Sequence, residues 1–304
     1  MQDNPFNLII LSRCIFLSIW FLLSSFAQAT ILVNDDLGNQ ITLPHEATRI
    51  ISLAPHITEI VFAAGAGDRL VGVETYSDYP KKAKSISRVG GYPSFDIEKI
   101  ISLKPDLIIA WSSSNSRNQL EKLSQLGIPI YLSEPREILD IAKSLVNFGR
   151  LAGTSFIAEK AKQDFMQQYN ALFSTNTKKS LNVFYQIWNK PLMTINGEHL
   201  ISKVITLCGG KNIFSELGSL TPSVSVESVI QSNTEVIIAG GSIKEHSDWI
   251  DQWQHWSKIP AVKNNNIYLI NADLIQRPGP RLLQGAKDFC DILETSRKKQ
   301  SHVK

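Results

Sequence analysis

An α/β architecture is predicted: two similar Rossmann-like lobes joined by one long helix, with a ligand cleft between them. Three observations lead there. Ser94–Trp111, SFDIEKIISLKPDLIIAW, returns without a gap as Ser223–Gly240, SVSVESVIQSNTEVIIAG, matching at Ser94/Ser223, Glu98/Glu227, Ile101/Ile230, Ile108/Ile237, Ile109/Ile238 and Ala110/Ala239. One unit repeated in distant halves implies paired lobes. In both halves short apolar runs alternate with helical patterns, as in parallel sheets. Between them, Ile138–Leu151 and Phe156–Phe173 keep apolar residues at helical spacing.

Taken in order, Thr30–Leu43 reads as a hairpin turning at Asn34–Asn39. Arg49–Leu53 is a short buried strand. Thr58–Ala64 is an apolar helix closed by Gly65 and Gly67, which accept the left-handed conformation of a C-cap. Leu70–Val73 is a strand, followed by the loop Glu74–Pro80. In the repeated unit, Asp96 and Ser225 occupy N-cap positions and Glu98 and Glu227 fall in the first turn. Lys104-Pro105-Asp106 turns the first copy into the strand Leu107–Ala110. Gln119–Leu126 is a helix and Ile128–Leu132 a strand. The helix that starts at Thr154-Ser155 spans about 30 Å. After the polar break 176–179, Leu181–Ile187 is a strand, Gln186–Gly197 a loop, and His199–Leu207 a helix ending at Cys208-Gly209-Gly210. Helix and strand within Val226–Ala239, a helix bearing Trp249, Trp253 and Trp256, strand Ile267–Ile270 and a last helix from Arg281 complete the chain. The expected units are a signal at 1–29, an N-terminal lobe at 30–150, the interlobe helix at 151–178 and a C-terminal lobe at 179–304.

The 304 residues allow two cores of ordinary size. Apolar content of 43% and charged content of 19% are those of a globular protein. A net charge of +3, dispersed along the chain, gives no footprint for nucleic acid. Arg13, an apolar run from Cys14 to Phe26 and Ala27-Gln28-Ala29 have the order of a cleaved secretory signal. The run is shorter than the roughly 20 residues of a spanning helix. A soluble mature protein starting near Thr30, outside the cytoplasm, is expected. Two cysteines then remain, Cys208 and Cys290, and an oxidising compartment favours a disulfide over two buried thiols.

The sequence contains no His-Glu-x-x-His, Walker loop or Gly-x-Ser-x-Gly elbow. His56, His199, His246 and His255 are scattered, so neither a metal nor a cofactor is expected, and the protein is read as a non-enzyme. Ligands of α/β folds bind beyond the carboxyl ends of strands. The loops 75–80, 186–191 and 271–280 qualify. They and their neighbours carry Tyr76, Tyr79, Tyr92, Trp111 and Trp188. Each alone could be a core residue; together they suit a large, flat, partly apolar ligand. Core packing is the better account of at least two of Trp249, Trp253 and Trp256. In Arg277-Pro278-Gly279-Pro280-Arg281, an arginine that binds a polar ligand edge stands against a solvated pair at a rigid turn. For Glu98 and Glu227 two readings stand level: helix-dipole stabilisation of about 0.3–1 kcal/mol each, or one exposed docking acid per lobe.

The hairpin at Val33–Leu43, the run RIISLAPHITEIVFAAGAGDRLVGV at Arg49–Val73, the repeated glutamate segments and the Arg277–Arg281 stretch are similar to substrate-binding proteins of ABC importers. They resemble the class with a helical backbone between lobes, which takes cobalamin, iron-siderophores and haem. TYSDYP at Thr75–Pro80, KPDLIIAW at Lys104–Trp111, LCGGKNIF at Leu207–Phe214 and the pair Cys208 and Cys290 most resemble its cobalamin-binding members. The resemblance implies a periplasmic, monomeric protein that captures cobalamin for an inner-membrane ABC permease. It implies that Tyr76 contacts the corrinoid and that Asp273, Leu274, Ile275, Gln276 and Arg277 form the facing loop. Trp111 matches directly, and Tyr92 replaces a tryptophan. Glu98 and Glu227 match two acids that dock on permease arginines. A siderophore or haem in the same cleft is the nearest alternative. An exported tetrapyrrole-processing enzyme, with His56 or His199 beside an acid, is another; a structural module would have a filled interface.

Overall fold

The computed structural model describes residues 30–173, 179–241 and 248–301. The expected signal at 1–29 and His246 lie outside the described residues. The N-terminal half runs β1 (Ile31–Asn34), β2 (Gln40–Leu43), β3 (Ile50–Ser52), α1 (Pro55–Ala63), β4 (Leu70–Val73), β5 (Gly90–Gly91), β6 (Ser94–Phe95), α2 (Ile97–Ser102), β7 (Leu107–Trp111), α3 (Arg117–Gln125), β8 (Ile130–Ser133) and α4 (Asp140–Leu151). The helix α5 (Ser155–Phe173) follows. The C-terminal half runs β9 (Leu181–Gln186), α6 (Leu200–Leu207), β10 (Gly210–Asn212), α7 (Val226–Gln231), β11 (Val236–Gly240), α8 (Pro260–Lys263), β12 (Ile267–Ile270), α9 (Ala272–Ile275) and α10 (Leu282–Ser301).

Each half builds one four-stranded parallel sheet, β4-β3-β7-β8 and β10-β9-β11-β12. The second strand of each sheet lies outside the first, then come the third and fourth. Central strands such as Leu107–Ala110 and Val236–Gly240 are buried throughout, because helices cover both faces of a parallel sheet. On the outer faces lie two separate apolar clusters, one around Ile51, Ile100 and Ile108, the other around Phe184, Ile237 and Trp253. On the inner side one continuous cluster contains Ile57, Leu145, Phe165, Val204, Ile275 and Phe289, so it passes from one half through α5 into the other.

The start of α5 is fixed to the N-terminal half. Thr154 Oγ1 donates to the Ala64 carbonyl at 2.7 Å. Gly149 lets α4 approach α5 closely: a Cβ there would meet the Ala158 methyl at 2.2 Å. The β1-β2 hairpin caps the rim of β8. Asp36 N–H donates to the Leu132 carbonyl at 3.1 Å, and Leu132 N–H to Asp35 Oδ2 at 3.4 Å. An edge strand left bare offers a template for pairing with another chain.

Three short elements escape the sequence patterns. β5 with β6, β10, and α9 are each two to four residues long, and β10 reads Gly-Lys-Asn. Such pieces are strands or helices only because neighbours complete their hydrogen bonds. The tryptophan-bearing stretch is not one regular helix, since Gln252–His255 forms a 3₁₀ turn. Trp249 and Trp253 are buried, and Trp256 is 41% exposed.

Cys208, just past α6, and Cys290, within α10, form a disulfide across a sequence separation of 82. Closing so long a loop restricts the unfolded chain. Replacing both cysteines by alanine is expected to cost about 2–4 kcal/mol. Urea unfolding of the pair variant checks this, with a lower midpoint as the expected result.

Candidate functional site

The strands of both sheets end on loops that carry most of the predicted site residues. After β4, the loop 74–80 is set by Glu74, whose Oε2 accepts the Tyr76 N–H at 2.7 Å. Thr75 N–H donates to the Gly90 carbonyl at 3.0 Å, which ties this loop to the β5-β6 turn bearing Tyr92. Tyr76 is 70% exposed and Tyr92 82%. Trp111 ends β7, its N–H donating to Asn115 Oδ1 at 2.6 Å, while Asn115 Nδ2 donates to the Leu53 carbonyl at 3.1 Å. In the C-terminal half Trp188 is 52% exposed and stands edge-on to Trp249 at 5.8 Å.

His56 lies at the start of α1, 1% exposed, with its ring edge-on to Trp111 at 4.8 Å. Its Nε2 has no hydrogen-bond partner among the described residues. Burial, aided by the positive charge of Arg277, pushes its pKa down to about 3. His199 caps α6, Nδ1 accepting the Ile201 N–H at 3.1 Å. Burial and the charge of Arg136 take its pKa down to about 4. Both rings are neutral near pH 7. Among the described residues neither makes a hydrogen bond or ion pair with a carboxylate. Among the described residues no group of three His, Cys, Asp or Glu could hold a metal ion.

The His56 shift predicts a pH dependence with a definite sign. From about 6.5 down to about 3 the unfolded chain holds this proton and the folded chain does not. Stability therefore falls as pH drops through that window, by at most about 1.4 kcal/mol per unit. Thermal melts between pH 7 and pH 4 check it: the His56→Phe variant should show a slope shallower by roughly one proton.

The segment Ala272–Ile275 is a helical turn, not open loop. Asn271 Oδ1 caps it, accepting the Asp273 N–H at 2.9 Å. Leu274 is buried and Ile275 packs in the continuous core. Gln276 donates to the Tyr185 hydroxyl at 3.2 Å. Trp111, Glu134 and Arg136 from one half and His199, Ile275 and Gln276 from the other line a cavity of about 50 Å³ between the halves. A larger cavity, about 580 Å³, lies apart from it, between the hairpin tip and α3, lined by Leu37, Leu120 and Ile130 among others.

Arg277 and Arg281 cross between the halves. Arg277 Nη1 donates to Glu59 Oε1 at 3.1 Å and to Asp78 Oδ1 at 2.7 Å, and its Nη2 pairs with Asp273 at 2.8 Å. Arg281 grips Glu59 with two hydrogen bonds, Nε to Oε2 at 2.8 Å and Nη2 to Oε1 at 2.5 Å, and lies over the Tyr79 ring at 3.8 Å. Partial burial pulls the Asp78 carboxyl upward in pKa, but the Arg277 hydrogen bond and charge hold it below the ordinary value. The sequence reading did not single out Glu59 or Asp78. A carboxylate inside the apolar helix PHITEIVFA was the signal available for Glu59.

Glu98 and Glu227 are both exposed, each in the first turn of its helix. Asp96 Oδ1 accepts the Lys99 N–H at 2.9 Å, and Ser225 Oγ the Ser228 N–H at 3.2 Å. Each helix leads into the third strand of its sheet. The Glu227 backbone N–H and then the Ser225 hydroxyl lower the Glu227 pKa.

The family described as "Periplasmic binding protein" matches residues 50–274. A vitamin B12-binding protein of Vibrio parahaemolyticus is 37% identical over 264 residues, which cover 86% of this chain and 95% of the relative. One of Vibrio campbellii is 40% identical over 256 residues, 84% of this chain and 92% of the relative. The crystal structure of the periplasmic vitamin B12 binding protein BtuF of Vibrio cholerae superposes with a TM-score of 0.78 at 39% identity, covering 83% of this chain and 98% of that one. The periplasmic heme-binding protein RhuT of Roseiflexus sp. RS-1 has a TM-score of 0.73 at 21% identity over 82% of this chain and 99% of that one, and shares the fold.

Proposed function

This chain belongs to the periplasmic binding protein family, and from that premise we propose that it captures cobalamin between its lobes and delivers it to an inner-membrane ABC permease. The observation that carries the ligand is the identity of 37–40% with vitamin B12-binding proteins over both halves of the chain. The protein acts in the periplasm as a monomer and makes or breaks no bond. Cobalamin is cargo, not cofactor. The units are 30–150, the interlobe segment 151–178 that contains α5, and 179–304, once the signal 1–29 is removed.

The cavity of about 50 Å³ holds little more than water, so the macrocycle sits in the open mouth outside it. Tyr76, Tyr92 and Trp188 are exposed, and Trp111, which lines the cavity, has the His56 ring edge-on to it. Such faces suit a flat corrin ring. Asp273, Gln276 and Arg277 meet its polar rim, and Leu274 and Ile275 support them from within. Glu98 and Glu227 dock on the permease, one for each lobe.

Titration with cyanocobalamin, haem and a ferric siderophore tests the ligand. Saturable one-to-one binding of cyanocobalamin alone is expected. Binding of haem or siderophore alone overturns it in favour of another member of the same fold class.

A further inference from the structure

Two arginines in a binding cleft would ordinarily form a receptor for an anion. Here several of their donors already face carboxylates. Glu59 is buried, and its two oxygens accept from both guanidiniums. Arg277 is also paired with Asp78 and Asp273, whose side chains are 48% and 50% exposed against 15% for the arginine. Three carboxylates thus outnumber two guanidiniums, and the most exposed members are two of the acids, Asp78 and Asp273. Gln276 and Pro278, on either side of Arg277, line the interlobe cavity, and Asp78 shares its loop with Tyr76; Glu59 and Arg281 line a separate cavity of about 310 Å³ with Tyr79 and Pro80. Arg277 is also a charge neighbour of His56, the ring that braces Trp111.

We propose that Glu59, Asp78 and Asp273 are specificity determinants, a charge filter that cancels Arg277 and Arg281 and so excludes anionic tetrapyrroles and anionic iron chelates from a cleft open to ligands without net charge. This rests on the reading of the cleft as the ligand site. A carboxylate or catecholate brought to Arg277 must displace Asp78 and stand beside Asp273, and like charges placed together are strongly disfavoured. A neutral amide rim faces no such repulsion. The same fold can therefore sort ligands of similar size by charge.

The test compares haemin, which carries two propionates, with neutral cyanocobalamin on the intact mature protein. Asp78→Asn frees one Arg277 donor from a carboxylate at a partly exposed position. The ratio of haemin to cyanocobalamin affinity is expected to rise about tenfold or more. Asp68→Asn, an equal charge change at an exposed site away from the cluster, should leave the ratio as it was. An unchanged ratio in Asp78→Asn, an equal rise in Asp68→Asn, or tight haemin binding by the parent protein overturns the filter. Should the parent fail to bind cyanocobalamin, the cobalamin reading falls, and haemin binding by parent and Asp78→Asn still decides the filter.

Discussion

Exchanging Glu98 and Glu227 together for lysine is expected to abolish transport while leaving capture intact. Both carboxylates are exposed, and both stand in the first turn of a capped helix entering the third strand of a sheet. Internal stability needs neither beyond a modest dipole contribution. A charged pair desolvated at an interface is worth about 2–5 kcal/mol when one partner is truncated, and reversal adds repulsion. Two reversed sites therefore remove productive docking almost completely, with single exchanges in between. Uptake of labelled cobalamin through the permease, measured beside the dissociation constant of the free protein, separates the two steps. Capture weakened in step with uptake would tell against docking.

The second large effect concerns Glu59. Its side chain is 2% exposed, facing Arg277 at 15% and Arg281 at 21%. Breaking a buried ion pair from one side costs about 3–5 kcal/mol, because the remaining charge is left without compensation. For Glu59→Gln the loss falls mainly on Arg281, which among the described residues is left with no carboxylate partner and the Tyr79 ring, while Arg277 retains Asp78 and Asp273. Urea unfolding should show this loss. Joint replacement of Glu59 and Arg281 by leucine and methionine should recover much of it, since apolar packing often matches a buried pair. A Glu59→Gln protein as stable as the parent would mean that the cluster contributes selectivity without stability.

What could be read from the sequence was local. The Asp96 and Ser225 caps, the first-turn glutamates and the apolar strands after them are encoded within eighteen residues, so the repeat exposed both halves. The interlobe helix was legible for the same reason, as a run of apolar residues at one period. The contacts across the gap were not. Glu59 meets Arg277 and Arg281 over separations of 218 and 222 residues, and nothing in a linear pattern pairs them. The family resemblance named Leu274 and Ile275 beside Arg277, but not which of them turn inward. Their burial follows from a four-residue helix that only its tertiary setting completes. Trp256 is partly exposed just past the 3₁₀ turn, where the backbone has left helical geometry.

The apolar cluster that threads from Ile57 through Phe165 to Phe289 has a further consequence. Neither half owns a complete interior, so melting one strips the wall from the other. Loss of structure then runs through the whole molecule at once.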